Sequence, residues 1–134
     1  MTSLPADIID YAAFEQLLEM DEDDPDFSKG LVENFYQQAD ETMVEINEAM
    51  QQKDLAALSR LGHFLKGSAA ALGVAKVKLC FEKIQYLGQG KDEYGQGSSD
   101  PTVALQRIEQ LLHDVVRYLK EAQHTFDAFY AARQ

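Results

Sequence analysis

The 134-residue chain has one cysteine and three prolines. It also lacks any run of 18 apolar residues. The lone thiol, Cys80, excludes an intramolecular disulfide framework and suits a reducing compartment. It also excludes haem attachment of the C-x-x-C-H type. The missing apolar run excludes a membrane-spanning helix. Met1 to Asp10 carries no basic residue and no long apolar run, so no secretory signal is expected there. Positive charge is scarce, with 12 Lys and Arg against 23 Asp and Glu, a formal net charge of -11. Such a field repels nucleic acid and anionic lipid and leaves basic protein surfaces as partners. Neither a G-x-x-x-x-G-K-S/T element nor a kinase-like glycine-rich strand loop occurs, so self-phosphorylation from ATP is not expected. No alternating strand pattern and no repeat with a period of 20 to 50 residues is found.

What is present is helical. Hydrophobic residues make up 46% and charged residues 26%, the balance of a globular chain. Length favours one domain over residues 1–134, without a structural metal. Each proline stands near a plausible helix start. Asp24-Pro25 and Asp100-Pro101 put a capping carboxylate before a residue whose missing N–H costs a first turn nothing.

A short helix over about Ile8–Met20 carries Ile9, Ala13, Leu17 and Met20 on one face. A second, about Asp26–Gln51, has the stripe Val32, Phe35, Ala39, Met43, Ile46, Met50. A third, about Leu55–Leu72, turns Leu58, Leu61, Leu65, Ala69 and Leu72 inward and ends at Gly73. A fourth, about Ala75–Leu87, carries Val77, Cys80, Phe81, Ile84 and Leu87. Glycines and serines then crowd residues 88–100, which reads as a flexible loop. The last helix, Pro101 to about Ala131, carries Leu105, Ile108, Leu112, Val115, Leu119, Ala122, Phe126 and Phe129. The expected fold is all-α. Residues 26–131 form an antiparallel four-helix bundle, and the short N-terminal helix caps or flanks it.

The segment with chemical content is His63-Phe64-Leu65-Lys66-Gly67-Ser68-Ala69-Ala70-Ala71-Leu72-Gly73. At about 100° per residue, His63 lies opposite the apolar set, with Lys66, Gly67 and Ala70 on its own face. Gly67 costs a helix interior about 1 kcal/mol relative to Ala. The bare position one turn from His63 would let another molecule's backbone approach the imidazole, and Lys66 would supply positive charge beside it. The spacing alone leaves a second reading open: an ordinary surface histidine, with Gly67 easing helix packing.

This segment resembles the phosphoacceptor motif of histidine-containing phosphotransfer (HPt) domains. Three further stretches extend the match to the fungal phosphorelay members of the yeast osmosensing type. They are Met20-Asp21-Glu22-Asp23-Asp24 with Asp26-Phe27-Ser28-Lys29-Gly30-Leu31, Leu61-Gly62 before the motif, and Glu82-Lys83-Ile84-Gln85 with Leu87-Gly88. The match is close over residues 4 to 91 and holds by pattern in the last helix. Two departures stand out. Lys91 to Asp100 is short where the fungal type has a long acidic insertion, and Gln89 replaces a basic residue.

The resemblance implies a stoichiometric carrier with His63 as phosphoacceptor. His63 would take a phosphoryl group from the receiver domain of a hybrid sensor histidine kinase and pass it to receiver domains of response regulators. Lys66, Gly67, Ser68, Gln85 and Lys83 would form the surroundings of His63, with Gln85 on the other ring nitrogen. Receiver docking would use Ala13, Leu17, Met20, Asp21, Asp24, Phe27, Leu31, Asn34 and Phe64, although core packing is an equal reading for the apolar members. No cofactor is implied on this chain, and Mg²⁺ is expected on the receiver. A monomer in cytoplasm and nucleus, serving stress signalling, completes the picture.

Rival readings are weaker. The acidic run Asp21 to Asp26 suits helix-dipole compensation. It is no EF-hand, because Asp26 holds the position needing Gly and Val32 the one needing Glu. Glu121-x-x-His124 is a single copy of a motif that a di-iron bundle needs twice, so no metal site is expected. His113 and His124 read as surface residues and Cys80 as core. The remaining alternative is an acidic helical adaptor that carries no phosphate.

Overall fold

The computed structural model describes residues 5–133. Five helices follow one another: α1 (Tyr11–Leu18), α2 (Phe27–Gln52), α3 (Leu55–Leu72), α4 (Ala75–Gly88) and α5 (Pro101–Arg133). A 3₁₀ turn, Glu19–Glu22, links α1 to α2. Helices α2 to α5 form the antiparallel four-helix bundle, and α1 packs across α2 and α3.

Local chemistry sets the boundaries. Asp10 caps α1 by accepting the Ala12 N–H, and Asp54 caps α3 by accepting that of Ala57. Asp100 Oδ2 takes the free N–H groups of Thr102 and Val103, so the Asp-Pro start of α5 is as expected. At Asp24-Pro25 the expected acceptor is present, since Asp24 Oδ1 takes the Asp26 N–H at 3.2 Å, but the α-helix does not start there. Helix α2 begins at Phe27, two residues after the proline, and its first turn is satisfied from further back by Asp21.

Gly73 ends α3 at φ +82°, where an L side chain is strained. A Cβ there would also stand 2.5 Å from the Asp10 carbonyl oxygen. The space is used by the N-terminal strap: Asp10 N–H donates to the Gly73 carbonyl at 2.7 Å, and Ile9 bridges to Val74.

The core runs through Leu58, Leu65, Val77, Phe81, Ile84, Ile108 and Val115, all essentially inaccessible. Three expectations need correction. In α2, Thr42 and Ala49 are buried, whereas Met43 and Met50 are partly buried at the flanks. Steps of 3 and 4 fit both sets, and only the neighbouring helices decide between them. Residues 8–20 are not one helix. A strap leads into α1 at Tyr11, and the chain tightens to 3₁₀ at Glu19, so the phase set by Ile9 is lost. Phe14 is the fully buried anchor instead, while Met20 is 52% exposed. Its ring lies 5.1 Å from that of Phe126 and 5.6 Å from that of Phe129.

Residues 88–100 are tied down by several hydrogen bonds. Asp92 Oδ1 accepts from the N–H groups of Tyr94 and Gln96, and Ser99 Oγ donates to the Lys91 carbonyl. Glu93 pairs with Arg107 at 2.7 Å and with Lys83 at 3.6 Å, which staples the loop to α4 and α5. The hydrogen bonds from Arg107 hold the Glu93 carboxyl below its ordinary range despite partial burial.

Candidate functional site

Helix α3 presents His63 to solvent near its middle, between turns whose inward residues Leu58, Leu61, Leu65 and Ala69 are buried. The adjacent Gly62 is buried against α4. A Cβ there would lie 3.2 Å from the Phe81 carbonyl oxygen and 3.4 Å from the Gln85 amide nitrogen. A glycine therefore sets the close crossing that brings Gln85 beside the turn bearing His63. Sequence reasoning missed that role.

Gly67 is the opposite kind of glycine. A Cβ there would meet nothing within 4 Å, so helix packing gives no reason for it. The ground one turn from His63 is open, and Phe64 beside it is 48% exposed. Lys66 is half-buried on the same face and forms no ion pair among the described residues. Ser68 spends its hydroxyl on the Phe64 carbonyl at 3.3 Å, an i−4 bond within α3.

Two residues expected around His63 are arranged differently. Among the described residues, no hydrogen bond joins Gln85 to His63, and Gln85 Oε1 is buried with no partner. Lys83 faces the other way, on Glu93 and 5.8 Å from the centre of the Tyr94 ring. Two residues apart on one helix, positions 83 and 85 differ by about 200°, so both cannot flank the same histidine.

The expected docking residues sit on α1, the 3₁₀ turn, the start of α2 and α3. Ala13, Leu17, Phe27 and Leu31 are half-buried, while Met20, Asp24, Asn34 and Phe64 are exposed. Asp21 is the departure, because its side chain is only 4% accessible. Its Oδ1 accepts the Ser28 N–H at 2.8 Å, and its Oδ2 accepts from Ser28 Oγ at 2.6 Å and Arg133 Nη1 at 2.9 Å. Burial pushes its carboxyl up, but these bonds outweigh it and hold the group below the usual 3.8. Asp21 is thus a buried cap of α2 rather than a surface contact. Ser28 holds a core-facing position one step before Val32 and Phe35 on the same stripe, and that misplaced polar residue was the available signal.

The other candidates have ordinary surroundings. His113 and His124 are exposed, and Glu121 pairs with Lys76 at 3.7 Å. Cys80 is buried in the core, and burial pushes its thiol up to about 11. No group of three or more His, Cys, Asp or Glu that could hold a metal occurs among the described residues. None of the described helices is long and apolar enough to cross a membrane.

An exposed histidine thus stands beside a bare turn of a four-helix bundle. The profile of the Hpt domain matches residues 30–122, more than half the chain, and the chain belongs to that family. Multistep phosphorelay regulator 1 of Schizosaccharomyces pombe is 41% identical over 125 residues, 92% of this chain and 42% of that protein. Phosphorelay intermediate protein YPD1 of Saccharomyces cerevisiae is 40% identical over 95 residues, 70% of this chain and 57% of that protein. The chain therefore spans less than two thirds of either relative. In structure it resembles S. cerevisiae Ypd1 in its co-crystal with the receiver domain of its downstream response regulator Ssk1. The TM-score is 0.83 at 29% identity, covering 96% of this chain and 98% of that one.

Proposed function

We propose that the protein is a phosphorelay intermediate in which His63 carries the phosphoryl group between receiver domains. The observation that supports this most directly is the vacant ground at Gly67, one turn from an exposed imidazole. In the accepting step a neutral ring nitrogen of His63, Nε2, attacks the phosphorus of an aspartyl phosphate. The N–P bond forms, the P–O bond to the aspartyl carboxylate breaks, and the carboxylate leaves with its electron pair. The onward step is the reverse, onto the aspartate of a second receiver.

Phosphoryl transfer depends mainly on positioning and charge stabilisation. Lys66, without an ion pair among the described residues, offsets charge on the phosphoryl oxygens. Gln85 Oε1, buried and unpartnered in the free protein, accepts from the other ring nitrogen once His63 turns toward it, and so holds the tautomer. Mg²⁺ and its carboxylate ligands belong to the receiver. Leu17, Met20, Phe27, Leu31 and Phe64 supply apolar docking area, with Ala13, Asp24 and Asn34 around them. The chain acts as a carrier without ATP-dependent kinase activity, as a monomer, and at 15.1 kDa it moves between cytoplasm and nucleus. Nothing observed favours the adaptor reading over this one. Incubation with a phosphorylated receiver, following acid-labile label over time, tests the proposal. Label should appear on the wild-type protein, and its absence would return the adaptor reading.

A further inference from the structure

The docking patch rests on the far end of the chain. Apart from Phe64 on α3, its apolar residues lie on α1, on the 3₁₀ turn and at the start of α2, and each of these three elements is held by the last two turns of α5. Phe14, the only buried residue of α1, sits among the rings of Phe126, Phe129 and Tyr130, with the Tyr130 centroid at 6.4 Å. The 3₁₀ turn and α2 are joined by the Asp21–Ser28 bonds, and that pair is tied to α5 twice. Ser28 Oγ is 2.6 Å from Tyr130 Oη, and Arg133 Nη1 donates to Asp21 Oδ2 at 2.9 Å. Because Ser28 Oγ donates to Asp21, Tyr130 Oη is the donor to Ser28. Arg133 also lies 5.6 Å and 5.7 Å from the ring centroids of Phe129 and Tyr130.

The buried residues of this network alternate with the exposed ones of the patch. Met20, 52% exposed, directly precedes Asp21, and half-buried Phe27 directly precedes fully buried Ser28. Met20 and Phe27 are thus the two outward neighbours of one buried hydrogen-bonded pair. A 3₁₀ turn has poorer internal hydrogen bonding than an α-helix, so its set depends on what anchors it.

We infer that Tyr130, through its hydroxyl on Ser28, is a positioning residue for receiver docking. With Arg133 it fixes the 3₁₀ turn and the first turn of α2 so that Met20 and Phe27 project at one angle. The inference rests on the docking function proposed above. Tyr130 Oη is remote from the phosphoryl group, so it acts on affinity and leaves the chemical step alone.

Tyr130→Phe tests this, because it keeps the ring under Phe14 and removes only the hydroxyl. The first measurement needs no receiver. Amide hydrogen exchange over residues 19–31 should accelerate by about 2- to 13-fold, the factor expected for one net hydrogen bond, with α3 and α4 unchanged. Unchanged protection of 19–31, or uniform acceleration along the chain, overturns the inference whether or not the protein docks a receiver. The second measurement uses the S. cerevisiae Ssk1 receiver domain. The variant's Kd should rise by a similar factor, with transfer at saturating receiver within twofold of wild type. In a double-mutant cycle with Met20→Ala the two effects should be less than additive, since both act through Met20. Additive effects, or a fall in the saturated rate with Kd unchanged, would contradict it. Should wild type not bind the receiver at all, the proposed function fails while the exchange result still decides the role of Tyr130 in anchoring the turn.

Discussion

Two polar regions of this bundle are built on opposite terms. In the cluster of Asp21, Ser28, Tyr130 and Arg133, every oxygen drawn from solvent has a partner within 3 Å. Around His63 the reverse holds among the described residues: Lys66 has no ion pair, and Gln85 Oε1 is buried alone. Buried polar groups normally find partners, because leaving one unmet costs about 1–3 kcal/mol. A satisfied network specifies shape. An unsatisfied face next to a reactive side chain specifies something yet to arrive. In the proposed relay, the difference separates the residues that build the docking surface from those that meet the phosphoryl group.

The strongest way to break the first region is to remove its aromatic floor. Phe14→Ala should cost about 3–5 kcal/mol in chemical denaturation, with the loss centred on α1. Removing the cap is a smaller blow. Asp21→Ala leaves the buried Ser28 N–H and hydroxyl short of an acceptor and should cost about 1–3 kcal/mol. The cap also titrates. The Asp21 carboxyl is held below its ordinary 3.8, so the unfolded chain binds its proton first as pH falls. Its contribution is complete above that value and is lost as pH drops through the lower folded value. Asp21→Asn should therefore show less stability loss below pH 4 than wild type, measured by urea midpoints across the acid range.

The second region should respond in activity rather than stability. Gly67→Gln should stabilise α3 by up to about 1 kcal/mol, since its Cβ enters open space, while slowing phosphoryl transfer. A variant both more stable and equally fast would erase the distinction between the regions. Lys66→Ala should leave the melting temperature within error. It should slow transfer, or shorten the phosphohistidine lifetime, because the roughly -1.5 to -2 charge added by phosphorylation loses its counterpart.

Much of this was legible in periodicity. The bounds of α3 follow from the leucine spacing and Gly73, and the exposure of His63 follows from the same phase. Three things were not. Phe14 hid behind a helix phase drawn through Ile9, because a strap and a 3₁₀ turn break that phase where no residue pattern announces it. The pairing of Asp21 with Arg133 spans 112 positions, and one acidic run offers no means to tell the buried carboxylate from its exposed neighbours. Residues 88–100 looked loose by composition, yet Asp92 and Glu93 supply acceptors that glycine and serine counts do not reveal. Around the site, Gly67 was readable because it violates helix propensity. Gly62 was not, because its reason lies on α4.

Whether His63 alone carries the phosphoryl group is decided by one comparison. Wild type and His63→Gln are incubated with the same phosphorylated receiver, and acid-labile label on each is followed over time, with urea midpoints measured in parallel. Label should appear on wild type and not on His63→Gln, with equal midpoints, since the side chain points to solvent. Label retained on His63→Gln, or found at His113 or His124, would contradict the assignment to His63.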